Sequence, residues 1–367
     1  MVTETLRKEP KTNTVVTYLV GNGFDIGLGL HTSYIDFINS YLREAAKTQI
    51  IAHMKNEIVK DLQSWGDAEL AFGKLQFSTF GDDSHSAVKE CLADFGDSLF
   101  TYLACEERRF LMPNDKQKLD FSTRFFSYYQ SLGEYARIDE IESVKRYGAL
   151  KVNVINFNYT ETIDKMLVPS GVIKLPECGE INVRVSPICH VHGALSTKRS
   201  RLFGVNDIAQ VIDPKLSNES KRLLAKPVID RLAGCHLGQK ARDMIDESDT
   251  VIVFGMSMGA SDKVWWEYLA NHIRDNTVCH RLCLVPYVSC QRGATCLAEE
   301  GEWAEMERLR FYNAIDVKKH FYNVEKLGES IDVFIRGPYV DPEGEQVFCD
   351  PFCLSWFGNK LVSSVDV

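Results

Sequence analysis

Several things are scarce in this sequence. No two of its 11 cysteines form a Cys-x-x-Cys pair, and the closest, Cys279 with Cys283 and Cys349 with Cys353, leave three residues between them. The spacing that seeds a zinc ribbon is therefore missing, no metal is expected, and each thiol reads as a small, reduced hydrophobe. No apolar run approaches the roughly 18 residues of a membrane span, and the opening MVTETLRKEPKTNT lacks the apolar segment of a secretory signal. A cytoplasmic protein without a membrane partner is expected. Positive charge is in deficit, with 42 Lys and Arg against 51 Asp and Glu and a net charge of -9. A surface of that balance would repel rather than attract polyanions, so nucleic acid is not an expected partner, although a local basic pocket stays open. There is no internal repeat and no low-complexity segment.

What is present is a globular pattern, 45% hydrophobic over 367 residues, ample for a full core. Residues 15–20, VVTYLV, form a β-branched apolar run ending on Gly21, as a buried parallel strand entering a turn would. Ser33 with Asp36 reads as a capping box, followed at helical spacing by Tyr34, Phe37, Ile38, Tyr41 and Leu42. From 45 to 148 the period stays helical, most clearly through Val88, Leu92, Phe95, Leu99 and Tyr102, which is too long for an ordinary crossover and predicts a helical insertion or lid. Strand patterns return at 150–157, 186–192, 249–255 and 280–288, with helical stretches such as Trp265, Leu269 and Ile273 between them. Alternation of this kind predicts an α/β fold with a mostly parallel sheet covered by helices, whose ligands sit at the carboxyl ends of the strands.

Four motifs fall at such strand ends. In GNGFD (Gly21, Asn22, Gly23, Phe24, Asp25) glycine allows backbone N–H groups to approach a pyrophosphate. Its glycine spacing is not that of a dehydrogenase, and the capped helix waits until Ser33, so hydride transfer is disfavoured; a plain tight turn is the alternative. In NFNYTET, Asn158 can donate to and accept from a ribose or a water, or else form an Asx turn with Thr160 capping the next helix. In HVHG, period two puts His190 and His192 on one side of a strand, and a histidine beside Gly193 suits general base work on a ribose hydroxyl. A structural role is the alternative for either histidine. FGMSMGASD (Phe254 to Asp262) matches the GxSxG elbow of serine hydrolases, with Ser257 as nucleophile and His192-Gly193 upstream as an oxyanion-hole pair. Against that, Asp316 and His320 stand only four apart on one predicted helix, a poor acid and base for a triad. The same turn can wrap the ribose or adenine of a nucleotide.

In this order, GNGFD with TSYIDF, FNYTET, HVHG and FGMSMGASD resemble the bacteriophage abortive-infection family AbiH, itself similar to sirtuin-like (SIR2-like) NAD-handling domains. The resemblance implies a Rossmann-like domain begun by residues 1–44, interrupted by the insertion at 45–148 and completed by 149–336, with 337–367 as a turn-rich appendage. It implies NAD as substrate or ligand: Gly21 to Asp25 at the diphosphate, Asn158 and His192 around the nicotinamide ribose, and Gly255, Ser257 and Asp262, with Thr160, completing the pocket. No cysteine stands between Gly193 and Cys235 to build the zinc module of deacylases, so the reaction implied is glycosidic hydrolysis. The expected protein is thus an NAD-consuming hydrolase of phage defence, with Asn158 orienting ribose and water and His192 as base. A phage-derived trigger and self-association would be its further partners. A nucleotide-binding sensor without turnover and a serine hydrolase using Ser257 are the alternatives.

Overall fold

The computed structural model describes residues 11–80, 83–197, 201–275, 281–286, 296–317, 323–334, 337–340, 346–349 and 360–363. The polar start at 1–10, Cys279, His320 and Cys353 lie outside them, as does most of the appendage.

At the centre stands strand β1 (Thr14–Val20), with all seven residues buried. It pairs in parallel with β2 (Ala149–Asn156) on one side, Val20 facing Asn156, and with β6 (Thr250–Phe254) on the other, Val20 facing Phe254. Beyond β2 lie β4 (Gly179–Val185) and the short β5 (Cys189–His190), and beyond β6 come β7 (Arg281–Val285) and β8 (Ile331–Val333), all parallel. Among the described residues only the edge strand β3 (Gly171–Leu175) is antiparallel within this sheet, as a hairpin with β4. The order β3-β4-β2-β1-β6-β7-β8 makes β1 the point from which successive connections run to opposite sides. The resulting fold is α/β and Rossmann-like, and its crevice lies at the carboxyl ends of β1, β2 and β6. A separate ladder, β9 (Gly337–Val340) with β10 (Gln346–Cys349), follows.

The β3–β4 hairpin carries little sequence signal because its strands expose every second residue, burying only Ile173 and Leu175 in one and Ile181 and Val183 in the other. The strand expected at 186–192 is only Cys189–His190: after it the chain turns, with Gly193 at a φ of 79° and its N–H donating to the His190 carbonyl.

Alternation along β1 divides the core. Val16, Tyr18 and Val20 face the helices 115–126 and 134–147, where Tyr18 stacks on Phe125 with ring centroids 3.8 Å apart. Leu19 faces the opposite layer, helices 237–246, 263–275 and 296–314, in which Trp265, Leu269 and Ile273 form the inner stripe. A third cluster is separate from both. It is built by helices 34–41, 49–60, 68–73 and 84–108 around Trp65, Phe72 and Phe95, and it also takes in Phe203, Val205 and Leu224 from the stretch after β5. Ser33, Thr48, Asp67 and Asp83 each cap one of these helices, accepting from a backbone N–H that the helix cannot satisfy itself. Each fully buried large side chain contributes about 1.5–3 kcal/mol, so this third cluster is a core in its own right. Among the described residues no helix is long and apolar enough to cross a membrane.

Candidate functional site

A cavity of about 1060 Å³ opens at the carboxyl ends of β1, β2 and β6. Small-molecule sites span about 300–1,000 Å³, so this one has room for a ligand of dinucleotide size. Gly21, Asn22, Gly23 and Asp25 line it from the turn after β1, and Asn158 and Thr160 from the turn after β2. His192 enters after β5, and Gly255, Ser257 and Asp262 after β6. The helical block between β1 and β2 adds Tyr34, Asp67, Glu69, Leu99 and Leu103, and helix 296–314 adds Glu307 and Arg310. Sequence-predicted residues from separate strand ends thus share one cavity.

The glycine turns are built against each other. The Gly21 N–H donates to the Phe254 carbonyl at 2.9 Å, and the Gly23 N–H to the Gly255 carbonyl at 2.7 Å. A Cβ at Gly23 would lie 2.6 Å from the Gly255 Cα, and one at Gly21 would lie 2.8 Å from the Gly255 carbonyl oxygen. Gly255 itself sits at a φ of 63°. The close approach that requires glycine here is therefore to a neighbouring backbone. A five-residue helix, Gly23–Gly27, starts at once after the turn, ahead of the one capped by Ser33. Phe24 packs into the core and does not line the cavity; it is 1% exposed, with its ring edge-on to Phe254 and Phe121.

Three polar residues of these motifs brace the frame. Asn22 donates to the Thr32 carbonyl at 2.9 Å and accepts from the Thr32 hydroxyl, closing the loop ahead of helix 34–41. Asn158 donates from Nδ2 to the Gly21 carbonyl at 3.1 Å, tying the end of β2 to the glycine turn, while the Asn156 side chain accepts from its N–H as an Asx turn. Asp25 is fully buried and accepts from the hydroxyls of Thr160, at 2.5 Å, and Thr162. Burial raises its carboxyl to about 6, against the lowering effect of both hydroxyls.

The two histidines part company. His190 lies over Asp164, Nε2 to Oδ1 3.1 Å; burial would lower its pKa, but the carboxylate's hydrogen bond and charge raise it on balance. It does not line the cavity. His192 does, 6% exposed, with its ring edge-on to Phe157. Its Nε2 accepts from the Lys226 ammonium at 2.9 Å, and Lys226 in turn forms a buried ion pair with Glu69. Burial and the adjacent cation hold His192 well below the usual imidazole range, so it is neutral, with its base lone pair already engaged. Burial likewise pushes Glu69 up to about 7 despite Lys226, and raises Asp262, which accepts from Asn206 at 2.9 Å.

Ser257 is exposed, and its hydroxyl makes no hydrogen bond among the described residues. His192 is committed to Lys226, Asp316 follows helix 296–314 at a φ of 51°, and His320 lies outside the described residues. Among the described residues no group of three or more His, Cys, Asp or Glu side chains is placed to hold a metal ion.

Glu69, Lys226 and Asp67 are among the site residues that the sequence does not announce. Glu69 sits inside a helical run and Lys226 opens another before Pro227, and neither stands at a strand end. Nothing local marks them, because only packing of the third cluster beside the sheet brings them to His192.

The family model for bacteriophage abortive infection AbiH matches residues 17–281. That span includes every cavity residue except Pro286 and those of helix 296–314. No curated protein and no solved structure matches the chain. With the match covering most of its length and nearly the whole cavity, this chain belongs to the bacteriophage abortive infection AbiH family.

Proposed function

We propose that this protein acts in abortive infection by binding a nicotinamide dinucleotide in the cavity and hydrolysing its N-glycosidic bond. The part in abortive infection follows from the family; the reaction is our reading of the site. One observation carries it: Asn158, His192 and the glycine turns after β1 and β6 converge on one large cavity at the topological switch point. The motif order resembling sirtuin-like domains supports the same substrate.

The charge of the wall supports this bond in particular. Glu69 and Asp262 face Lys226 with Asp67 beside them, an excess of acid poorly suited to a bare phosphate. The scissile end of NAD is instead a cationic nicotinamide ring, and its departure leaves an oxocarbenium-like ribose, which carboxylates stabilise. In this reading the dinucleotide lies across the turns after β1 and β6, whose Gly21 and Gly23 N–H groups are held by Phe254 and Gly255, and the ribose lies between Asn158 and His192. The electron pair of the bond from C1′ to nitrogen leaves with neutral nicotinamide, water adds to C1′, and one proton is released.

The test is nicotinamide release from NAD by the purified full chain, alone and with lysate of phage-infected cells, with Kd measured by calorimetry. Release that Asn158→Ala abolishes while NAD stays bound is the expected result. Tight binding without release under both conditions would replace hydrolysis by nucleotide sensing, a reading favoured by the engaged lone pair of His192. Absence of binding would overturn both.

A further inference from the structure

Given that hydrolase reading, on which this inference rests, we propose that Glu69 is the catalytic carboxylate that accepts the proton of the attacking water, and that Lys226 and His192 are positioning residues. The assignment follows from which acceptors around the cavity are already taken. Asp25 has both oxygens on the hydroxyls of Thr160 and Thr162. Asp67 accepts from the Leu70 N–H at 3.1 Å and the Ser261 N–H at 3.4 Å, and Glu307 is paired with Arg310. Asp262 engages Asn206 through Oδ1 and, unlike Glu69, leaves no buried oxygen without a partner among the described residues, and His192 engages Lys226 through Nε2.

Glu69 is different. It is 4% exposed, lines the cavity, and holds Lys226 through Oε2; Oε1 is buried with no hydrogen-bond partner among the described residues, the neighbouring Tyr159 hydroxyl donating instead to the Leu202 carbonyl. A buried carboxylate oxygen without a donor costs free energy unless something binds it. A water poised for C1′ supplies that donor. The chain His192, Lys226, Glu69 then has a defined division of labour. Nε2 of His192 holds the ammonium, and the ammonium fixes Oε2, leaving Oε1 for the water. In the step, one O–H bond of water breaks as its proton passes to Oε1. Its oxygen bonds to C1′ as the bond from C1′ to nitrogen gives its electron pair to nicotinamide. Burial, outweighing Lys226, places the Glu69 carboxyl at about 7, where a base works well near neutrality. The other titratable groups around it are Asp67, Asp262, Tyr34 and Tyr159.

The experiment follows nicotinamide release and NAD affinity across pH for the full chain carrying Glu69→Gln, Glu69→Ala or His192→Ala. Glu69→Gln should lose about 10²- to 10⁴-fold in kcat at little changed Kd, and added formate should restore part of the turnover of Glu69→Ala. His192→Ala should lose less and shift the acidic limb of the pH profile, because it reaches the water only through Lys226 and Glu69. Should Glu69→Gln fail to fold, Glu69→Asp keeps the charge beside Lys226 and retracts the free oxygen by about 1 Å, a displacement that can cost about 10²-fold. Wild-type turnover in Glu69→Gln or Glu69→Asp, with His192→Ala inactive at unchanged affinity, would move the base to His192 and leave the hydrolase reading standing. A wild-type chain that releases no nicotinamide under any condition would overturn that reading, and this assignment with it.

Discussion

Gly23 and Gly255 meet backbone to backbone, the N–H of one on the carbonyl of the other at 2.7 Å, with no room for a side chain at either. Gly23→Val should therefore cost stability before it costs affinity. Forcing atoms into a filled site typically costs about 1–3 kcal/mol, and here the obstacle is main chain, which yields less than a side chain. Gly255→Ala should add about 1–2 kcal/mol for a left-handed residue. Thermal unfolding checks both; a Gly23→Val protein melting with wild type would mean the turns separate at little cost.

The buried pair of Lys226 and Glu69 should show strong coupling. Lys226→Met leaves a carboxylate buried without its cation, a loss of about 3–5 kcal/mol for breaking such a pair. Glu69→Gln with Lys226→Met removes both charges and should be less destabilised than Lys226→Met alone. Melting temperatures of wild type, both single variants and the double decide it. Additive losses would mean that the two side chains do not interact in solution.

Asp25 predicts a pH dependence of stability. Its carboxyl lies at about 6 when folded against 3.8 for a free side chain, because burial outweighs its two hydroxyl donors. The folded chain thus holds the proton longer, and stability falls as pH rises from near the unfolded value through the folded one. The full difference is about 3 kcal/mol, at about 1.36 kcal/mol for each pH unit between the two values. Asp25→Asn should lack this contribution, so wild type minus variant should decline over that window in denaturation curves. A flat difference would place Asp25 in water.

Ser257 should remain unlabelled by a fluorophosphonate probe. It is exposed, and the histidine of the same cavity is held by Lys226. Stoichiometric labelling that disappears in Ser257→Ala would locate the chemistry on the GxSxG turn instead.

Asn158→Ala removes the hydrogen bond to the Gly21 carbonyl, worth about 1 kcal/mol net. Its melting temperature should fall modestly, and in our reading turnover should fall far more. Equal and modest losses in both would reduce Asn158 to a brace for the turn.

Much of this was visible in the chain itself. Strands β1, β6 and β7 were legible because strands buried on both faces are written as near-continuous apolar runs, β2 because Leu150, Val152, Val154 and Ile155 stand out within it, and Gly21 and Gly255 mark where two of the four end. The cap at Ser33 and the stripe of helix 84–108 were legible because capping and helical period are local. The β3–β4 hairpin was not, since a half-exposed edge pair carries a weak alternating signal. Nor did the helical block between β1 and β2 announce that its later helices, 115–126 and 134–147, cover the sheet while its earlier ones build a separate core with Phe203, Val205 and Leu224.

The strand-end motifs, and with them the position of the cavity, were determined by the sequence alone, because in a parallel sheet the residues after each strand must meet at one edge. Which partner each motif residue takes was decided only by the tertiary structure. Gly23 must be glycine because of Gly255, and His192 is held by Lys226, which Glu69 holds in turn. Those pairings join residues far apart in the chain, and no local period or propensity encodes a contact that forms only when two separately folded cores close on each other.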